Sequence, residues 1–345
     1  MMTPPGNETV KADKTAGGII DMHFDLPLGL FLEHQRTGMV EAQYLPELEA
    51  GNVSLVGAAI YIEDEYLPEH ALRVALDQAA LLSRELERSP RWRLCRTFRE
   101  IEEAEGARKI GLLLTMEGVE PLGEDLLLLR SFYELGLRSL SLTHARPNAA
   151  ATGGLFAGRA PAKGLTTFGK ELVEECERLG VILDLAHINP AGFEEVCALT
   201  SRPLIVSHTN ARRFYDIERN ISDEQIRMVG ARGGVIGVNA ILVSPLREEA
   251  TLDRYIDHME HVASLIGIDG VGLGFDFCEF IWNKLAPVKR DAVEARLTAP
   301  HFLPDLSNHR HTPNLIRRLG ERGFNEGDIE NVLGGNWRRV LRELL

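Results

Sequence analysis

Short apolar runs recur along the chain, and each run is followed by a polar residue and then by an amphipathic stretch. The runs cover residues 17–25, 53–62, 109–118, 137–144, 180–187, 202–208, 233–240 and 269–277. Near-continuous apolar character over such short segments is typical of parallel strands that are buried on both faces. The pattern therefore predicts eight parallel strands.

Segments with apolar residues at helical spacing lie between these runs. They cover residues 66–88, 124–135, 167–179, 222–231, 251–266 and 312–321. In the last of them we expect Thr312 to cap the helix and Pro313 to occupy its first position. Eight strands that alternate with helices predict an α/β fold, a (β/α)8 TIM barrel, with residues 17–345 as one domain after a disordered leader over residues 1–16. A doubly wound open sheet is the alternative fold, but it would not explain the residues at the strand ends.

Polar or metal-binding residue types stand at the ends of seven of the eight runs. They are His23 and Asp25, Glu117, His144, His187, His208, Asn239 and Asp276. In a barrel the active site lies at the carboxyl ends of the strands, so we expect these side chains to meet in one place.

His23 and Asp25 are separated by one residue, so alternation along a strand should point both into the barrel and Phe24 toward the helices. Zn²⁺ binds imidazole nitrogens and carboxylate oxygens. His187 and His208 end neighbouring strands and face this pair; the alternative is that loop carbonyls satisfy both rings. Glu117 ends an apolar strand, where a buried carboxylate is costly unless it is paired or binds metal. One oxygen for each of two metals would make Glu117 a bridge.

His144 and Asp276 have no ligand role in this scheme and stand where a general acid/base or an oxyanion stabiliser is needed. Gly272 and Gly274 share the inward direction of Asp276, and we expect them to leave room for a substrate. Asp21 should also face inward, either as support for the ligands or as a structural carboxylate.

The remaining polar positions are expected to be less informative. Asn239 is either a site residue or a turn former. Surface positions are predicted for five further histidines. They are His258 and His261 on a solvated helix face, and His301, His309 and His311 in the Pro-rich segment 298–313, which could alternatively cover the barrel mouth.

Charge and composition exclude several classes of partner. The formal net charge of −13 argues against nucleic acid or an anionic membrane surface as a partner, because both require a basic face. The four cysteines are far apart, without a CxxC pair, which is typical of a reducing compartment. Residues 1–16 lack the apolar core of a signal peptide, and no run reaches the length of a membrane span. We therefore expect a cytoplasmic protein without membrane association.

Taken together, the motifs resemble those of the renal (membrane) dipeptidase family, the M19 group of metallopeptidases with an amidohydrolase-like barrel. The resemblance runs from about residue 17 to the C-terminus and includes, in the family's order, DMHFDLP, TMEG, LTH, LDLAH, VSHTNA, ERNISD, GLGFDF and GGNWRRVL. Individually these motifs are not specific, but jointly they are.

The resemblance implies a zinc-dependent dipeptidase that uses a metal-bridged hydroxide on short peptides with a free C-terminal carboxylate. The implied ligands are His23, Asp25 and Glu117 for one zinc ion, and Glu117, His187 and His208 for the other.

The resemblance also implies roles for three further residues. His144 would stabilise the tetrahedral oxyanion, and Asp276 would carry the proton from the bridging water to the leaving amine. Arg219, within ERN, would pair with the terminal carboxylate of the substrate, a role that suits a guanidinium group.

The chain departs from the family after the fourth and seventh strands, where aromatic residues are replaced by ARPNAAATGG and NAILVSP. The wall that shapes the substrate site should therefore differ. Two alternatives stay open: another amidohydrolase-type activity on a small amide or lactam, and a non-catalytic barrel that only binds. The first often uses a modified lysine late in the fourth strand, which LRSLSLTH lacks, and the second should have lost some ligands. The sequence leaves open the substrate side chains and their stereochemistry, a homodimer, and Mn²⁺ or Co²⁺ in place of Zn²⁺.

Overall fold

A closed barrel of parallel strands forms the centre of the molecule. The computed structural model describes residues 17–154, 163–296 and 301–345. Within these residues nine strands form one sheet in the order β2-β1-β9-β8-β7-β6-β5-β4-β3, and β2 also pairs with β4, which closes eight strands into a barrel and leaves β3 outside it. The predicted (β/α)8 barrel is confirmed, and each of the eight predicted runs overlaps one barrel strand. The strands are β1 Ile19–Phe24, β2 Val53–Tyr61, β3 Trp92–Leu94, β4 Ile110–Glu117, β5 Leu137–Ser141, β6 Ile182–Asp184, β7 Ile205–Thr209, β8 Val235–Val238 and β9 Val271–Leu273.

Helices follow the barrel strands and cover the outside of the sheet. They are α1 Leu26–Leu32, α2 Leu45–Ala50, α3 Ala71–Arg88, α4 Phe98–Gly106, α5 Leu126–Leu135, α6 Thr167–Leu179, α7 Pro190–Leu199, α8 Asp223–Gly230, α9 Leu252–Ile266, α10 Glu279–Trp282, α11 Pro287–Arg296, α12 Thr312–Glu321, α13 Glu326–Glu330 and α14 Asn336–Leu344. Several begin at side-chain caps: the Thr166 hydroxyl accepts the Gly169 amide at α6, and Ser222 and Gln225 form a capping box at α8.

The start of α12 differs from the prediction. Thr312 does not cap the helix, because it is already helical and its hydroxyl donates to the carbonyl of Gly51 at 2.9 Å. His311 occupies the cap position without a side-chain hydrogen bond. The Thr312 hydroxyl therefore donates to a distant backbone carbonyl instead of accepting from an amide of its own helix.

The barrel interior is filled below its carboxyl-terminal mouth. Ile20, Met22, Leu55 and Leu113 pack with the side chains of α14 in a cluster separate from the main core between sheet and helices. The indole nitrogen of Trp337 on α14 donates to the carbonyl of Leu273 at 3.0 Å. Helix α14 therefore closes the amino-terminal end of the barrel.

Gly272 and Gly274 do not leave room for a substrate, contrary to the expectation. A Cβ on Gly272 would lie 2.4 Å from the Trp337 indole nitrogen, and one on Gly274 would lie 1.7 Å from the carbonyl oxygen of Ser207. The missing side chains allow β9 to approach the Trp337 ring and the backbone of β7.

The direction of Asp21 also differs from simple alternation. The register of β1 against β2 shifts by one residue between Asp21, opposite Val56, and Phe24, opposite Ala58. Ile20 and Met22 therefore face inward, whereas Asp21 faces outward and contacts His309 at 2.7 Å. The shift is what brings His23 back into the barrel interior.

His258 and His309 are buried, so the prediction of surface positions for them is wrong. His258 on α9 accepts the Ala211 amide through Nδ1 at 3.0 Å and donates from Nε2 to the carbonyl of Val243 at 2.9 Å. It thereby joins the loops that follow β7 and β8. The partly buried His261 contacts Asp223 at 2.7 Å.

The other histidines of the Pro-rich segment are half-buried. They are His301 and His311. Residues 298–300 of this segment, like the predicted leader over residues 1–16, lie outside the described residues.

Two further expectations concern membranes and cysteines. Within the described ranges, no helix has the length and apolar character needed to cross a membrane. All four cysteines are described, and none of them is in a disulfide.

Gly274→Ala should destabilise the barrel, because the new methyl group would collide with backbone atoms of Ser207 rather than with a movable side chain. We expect a loss of about 1–3 kcal/mol or more in the free energy of unfolding, measured by urea denaturation. Gly320→Ala on α12 is the control, since a Cβ there meets nothing within 4 Å. Equal stability of the two variants would contradict the close-approach explanation.

His258 should make stability depend on pH. Burial lowers the pKa of His258 from 6.5 to about 4, so the folded state keeps it neutral while the unfolded chain binds a proton below pH 6.5. Its contribution is therefore fully present above pH 6.5 and is lost as the pH falls toward 4. Between pH 6.5 and 4.5 the loss should be on the order of 2 kcal/mol. Denaturation curves of wild type and His258→Gln at both values measure it, and the variant should lose less stability over the interval; parallel losses would contradict the assignment.

Candidate active site at the barrel mouth

The carboxyl-terminal mouth of the barrel brings the predicted strand-end residues together. His23, Glu117 and His208 lie on β1, β4 and β7, and the others follow within three residues of the ends of their strands. Because all eight strands are parallel, their carboxyl ends meet at one edge, as the sequence pattern requires. Each of the five predicted metal ligands is less than a tenth exposed.

Glu117 lies at the centre of this cluster. Its Oε1 is 2.8 Å from Nε2 of His187, 3.2 Å from Nε2 of His208 and 3.9 Å from Nε2 of His23. The Nε2 atoms of His187 and His208 are themselves 2.9 Å apart. One carboxylate oxygen thus faces three imidazole nitrogens that come from three different strands.

The pair formed by His23 and Asp25 lies on one side of Glu117. Nε2 of His23 is 3.6 Å from Oδ1 of Asp25 and 3.9 Å from Oδ1 of Asp276. The His23 ring stacks on His208 with a centroid separation of 3.6 Å. Oδ1 of Asp25 is buried and has no hydrogen-bond partner among the described residues. An orphaned buried carboxylate oxygen indicates a position that a cation would satisfy.

Burial and mutual repulsion control the ionisation of this cluster. Burial raises the pKa of Glu117, and the carboxylates of Asp25 and Asp276 add to the effect while His23 opposes it. Burial would lower the pKa of His23, but Glu117, Asp25 and Asp276 outweigh it and raise that pKa. Three carboxylates therefore share a site that favours positive charge.

The pKa values of His187 and His208 shift in the opposite direction to the pKa of His23. Burial lowers the pKa of both rings well below 6.5, and the nearby Arg219 and His23 charges lower it further. Both rings therefore remain neutral at neutral pH. A neutral imidazole has the lone pair that a metal ion needs.

Two site residues adopt left-handed backbone conformations. His187 has φ of 66° and Asp276 has φ of 58°, which is unusual for residues other than glycine. Such strain persists only where surrounding contacts enforce it, and it occurs often at functional sites. Both turns redirect the chain at the strand end, so that the side chain enters the mouth.

Asn239 has both of the roles that the sequence left open. Its Nδ2 donates to Oδ2 of Asp276 at 2.9 Å, and its Oδ1 accepts the Ile241 amide at 2.7 Å. The hydrogen bond with Ile241 stabilises a turn, and the hydrogen bond with Asp276 orients a carboxylate of the site. Burial raises the pKa of Asp276, and Asp25 adds to the effect against His23 and Arg219.

His144 lies on the far side of His187 and is half-buried, with a centroid separation of 4.4 Å between the two rings. Burial lowers its pKa well below 6.5, and the charges of Arg146 and Arg219 lower it further. A neutral ring can still donate one N–H to an oxygen in the mouth.

Tyr61 is a site residue that the sequence reasoning missed. It ends β2 opposite Glu117, and its ring lies 4.6 Å from that of His144. Its hydroxyl accepts from Arg146 at 3.2 Å, while Arg146 also contacts Asp64 and the carbonyl of Ile62. Alternation along β2 could have identified Tyr61, because the second run, residues 53–62, is the one run whose end has no other candidate site residue.

Arg219 lies in the loop between β7 and α8 and is 2% exposed. Its Nη2 donates to the carbonyl of His208 at 2.8 Å, and its buried Nη1 has no partner among the described residues. Burial lowers the pKa of Arg219, although Asp276, Glu117 and Asp184 oppose that effect. A buried guanidinium group with an unused donor is suited to an anionic ligand.

The donor set fits a metal ion. Three overlapping groups of His, Asp and Glu have ligand atoms within 4.8 Å of one another. The groups are His23, Glu117 and His208; Glu117, His144 and His187; and His23, Asp25 and Asp276. In a tetrahedral zinc site, neighbouring ligand atoms are about 3.3 Å apart for bonds near 2 Å. The separations around Glu117 are close to that value, so these residues form a candidate metal-binding cluster.

Comparisons with known proteins agree with this geometry. The family model described as "Membrane dipeptidase (Peptidase family M19)" matches residues 11–289. "Dipeptidase 3" of Mus musculus is 30% identical over 346 residues, which cover 94% of this chain but only 64% of the mouse protein.

Two crystal structures cover almost the whole chain. One, described as dipeptidase AC, a metallopeptidase of family M19, has 27% identity and a TM-score of 0.82, with 95% of this chain and 98% of that chain covered. The other, a metallopeptidase from Rhodobacter sphaeroides liganded with a phosphinate mimic of the dipeptide L-Ala-D-Ala, has 26% identity and a TM-score of 0.83, with 95% and 99% covered. The family match, the shared fold and the cluster at the barrel mouth agree with the resemblance found in the motifs, and the chain belongs to the membrane dipeptidase family, peptidase family M19.

Proposed function

We propose that the chain is a zinc-dependent dipeptidase that hydrolyses short peptides with a free C-terminal carboxylate. The observation that carries the proposal is the position of Glu117, whose Oε1 faces the Nε2 atoms of His23, His187 and His208 within 3.9 Å. A carboxylate in this position can serve two cations at once, one on each side.

The five ligands divide into two sets around Glu117. His23 and Asp25 would hold one zinc ion with Glu117, and His187 and His208 would hold the other with the same carboxylate. Two zinc ions held there would supply Lewis acidity and activate a shared water as the nucleophile. The nitrogen and oxygen donors are those that zinc binds in hydrolases.

His144 and Asp276 stand on opposite sides of the ligand cluster. His144 is neutral because burial lowers its pKa, so it can donate an N–H to the oxygen that becomes negative during attack on the peptide carbonyl. The Asp276 carboxylate, oriented by Asn239, can accept the proton of the attacking water and deliver it to the leaving amine. A pKa raised by burial makes Asp276 a better base for this transfer.

Arg219 supports the preference for short substrates. Its unused Nη1 can pair with the terminal carboxylate, which leaves no room for further residues on that side. The names and ligand of the relatives support the same substrate class, since one is called a dipeptidase and another binds a mimic of L-Ala-D-Ala.

The decisive experiment combines metal analysis with a substrate panel. Protein purified without chelator should contain two zinc ions per chain and should hydrolyse L-Ala-L-Ala or L-Ala-D-Ala. Hydrolysis of cyclic amides alone would favour another amidohydrolase-type activity. Absence of both zinc and hydrolysis would favour a barrel that only binds.

Glu117→Gln should lose zinc and activity together, because the amide is neutral and offers one weaker acceptor to two cations. We expect dipeptide hydrolysis to fall by more than about 100-fold, with less than one zinc ion retained per chain. Zinc content by mass spectrometry and initial rates measure both effects. Glu124→Gln, at an exposed position, is the matched control and should behave as wild type. Two zinc ions retained in Glu117→Gln would refute the bridging role.

Arg219→Ala should remove recognition of the free carboxylate. The value of kcat/KM for Ala-Ala should fall about 10–100-fold, with a raised KM, while hydrolysis of the C-terminal amide should change little. Zinc content of the variant checks that the contact from Arg219 to the His208 carbonyl is not needed for metal binding. If the free acid and the amide lose activity in the same proportion, carboxylate recognition by Arg219 is wrong.

A further inference from the structure

Asp21 is a completely buried carboxylate outside the proposed ligand set. Its Oδ1 accepts the His23 amide at 3.2 Å and the Phe275 amide at 2.9 Å, and its Oδ2 contacts Nε2 of His309 at 2.7 Å. His23 is a proposed ligand, and Phe275 directly precedes Asp276. One carboxylate therefore holds the ends of β1 and β9 together beneath the half of the site that contains His23, Asp25 and Asp276.

Asp184 makes the corresponding contacts on the other side of the barrel. Its Oδ1 accepts the Ala186 amide at 3.0 Å and the Ser207 amide at 2.8 Å. Ala186 directly precedes His187, and Ser207 directly precedes His208. This carboxylate therefore holds the ends of β6 and β7 beneath the half of the site that contains the other two histidines.

The two aspartates share a second property. In each half, the amide one residue before a left-handed site residue donates to the buried carboxylate: Phe275 before Asp276, with φ of 58°, and Ala186 before His187, with φ of 66°. A left-handed turn at a residue with a side chain is unfavourable unless contacts on either side enforce it. These hydrogen bonds are such contacts, because an unpaired buried amide is costly.

Each aspartate also has one outer partner, a residue outside the proposed ligand set that interacts with its carboxylate: His309 for Asp21 and Ser207 for Asp184. The ring of His309 lies between Phe24 and Phe277, at centroid distances of 4.8 and 5.0 Å, so its orientation toward Asp21 is fixed by packing.

On the other side, burial raises the pKa of Asp184, and the nearby Ser207 hydroxyl opposes that rise. The same hydroxyl oxygen lies 2.7 Å from Nδ1 of His208. When the hydroxyl donates to the carboxylate, its oxygen accepts from Nδ1–H of His208. That tautomer leaves the lone pair of Nε2 free toward Glu117.

We propose that Asp21 and Asp184 are positioning residues, each of which controls one half of the metal site. Asp21, with His309, sets the geometry of the His23/Asp25 half, and Asp184, with Ser207, sets that of the His187/His208 half. The inference rests on the proposed two-metal site. It adds that the affinities of the two halves can be changed separately by residues that touch no metal.

The test measures the occupancy of each half directly. Crystals of the full chain are equilibrated with zinc buffers of defined free concentration, and anomalous scattering at the zinc edge gives the occupancy at each position. We expect Asp21→Asn and His309→Gln to weaken zinc binding about 10–100-fold beside His23 and Asp25, with less than about threefold change at the other position. Asp184→Asn and Ser207→Ala should show the reverse pattern.

Two measurements in solution accompany the crystals. Chelator competition gives the two stepwise zinc dissociation constants, and thermal unfolding shows whether each variant is folded. The outer variants His309→Gln and Ser207→Ala leave the amide-accepting oxygens in place, so they test the idea even if an aspartate variant does not fold. Asp253→Asn, in a surface ion pair with Arg318, is the control and should leave both positions unchanged.

The outcomes separate this inference from the proposed function. Variants that lower both occupancies in the same proportion, or folded variants that lower neither, would overturn the positioning roles. Wild-type protein with fewer than two zinc positions would remove the two-metal proposal and this inference with it. Wild-type protein that holds two zinc ions but hydrolyses no dipeptide would refute the dipeptidase proposal alone.

Discussion

The carboxylate of Glu117 is placed among three imidazole nitrogens in a region from which water is largely excluded, and the organisation of the barrel mouth follows from that placement. A buried carboxylate needs positive charge or hydrogen bonds in compensation, and here the compensation comes from residues on β1, β7 and the end of β6. Strands that are far apart in the chain must therefore end at the same level along the barrel axis. The closed parallel barrel is the architecture that provides this, because all its carboxyl ends meet in one ring.

Below the ring, large side chains alone do not close the barrel interior. Backbone segments also approach one another closely at glycines. Gly274 and Gly237 both lie against the carbonyl of Ser207, and Gly57 lies against that of Met22. Trp337 fills the remaining space from the amino-terminal end. The mouth consequently has a closely packed floor beneath the side chains of the site.

Much of this arrangement is visible in the sequence, because it depends on local patterns. Apolar runs locate all eight barrel strands, and the polar residues at seven of the eight run ends identify most residues of the mouth. The direction of Asp21 could not be found in this way, since a register shift in β1 reverses the alternation and leaves no local trace. The burial of His309 and His258 could not be predicted for a similar reason: their partners, Asp21 and the carbonyl of Val243, come from other segments.

The sequence alone could not show whether the space beside a glycine is filled by substrate or by another part of the protein. Gly272 and Gly274 face inward as expected, but what lies opposite them is Trp337 and Ser207, which only the folded barrel reveals. Arg219 shows the reverse case. Nothing in its local sequence marks it as special, and only the family motif and the buried Nη1 without a partner among the described residues single it out.

The contact between Asp21 and His309 joins positions that are 288 residues apart. During synthesis on a ribosome, β1 is therefore made long before the residue that completes its hydrogen bonding. A nascent chain that ends before this histidine can form strands and helices, but its first strand still lacks an outer partner for a buried carboxylate. This half of the mouth can therefore reach its final geometry only after residue 309 has been synthesised.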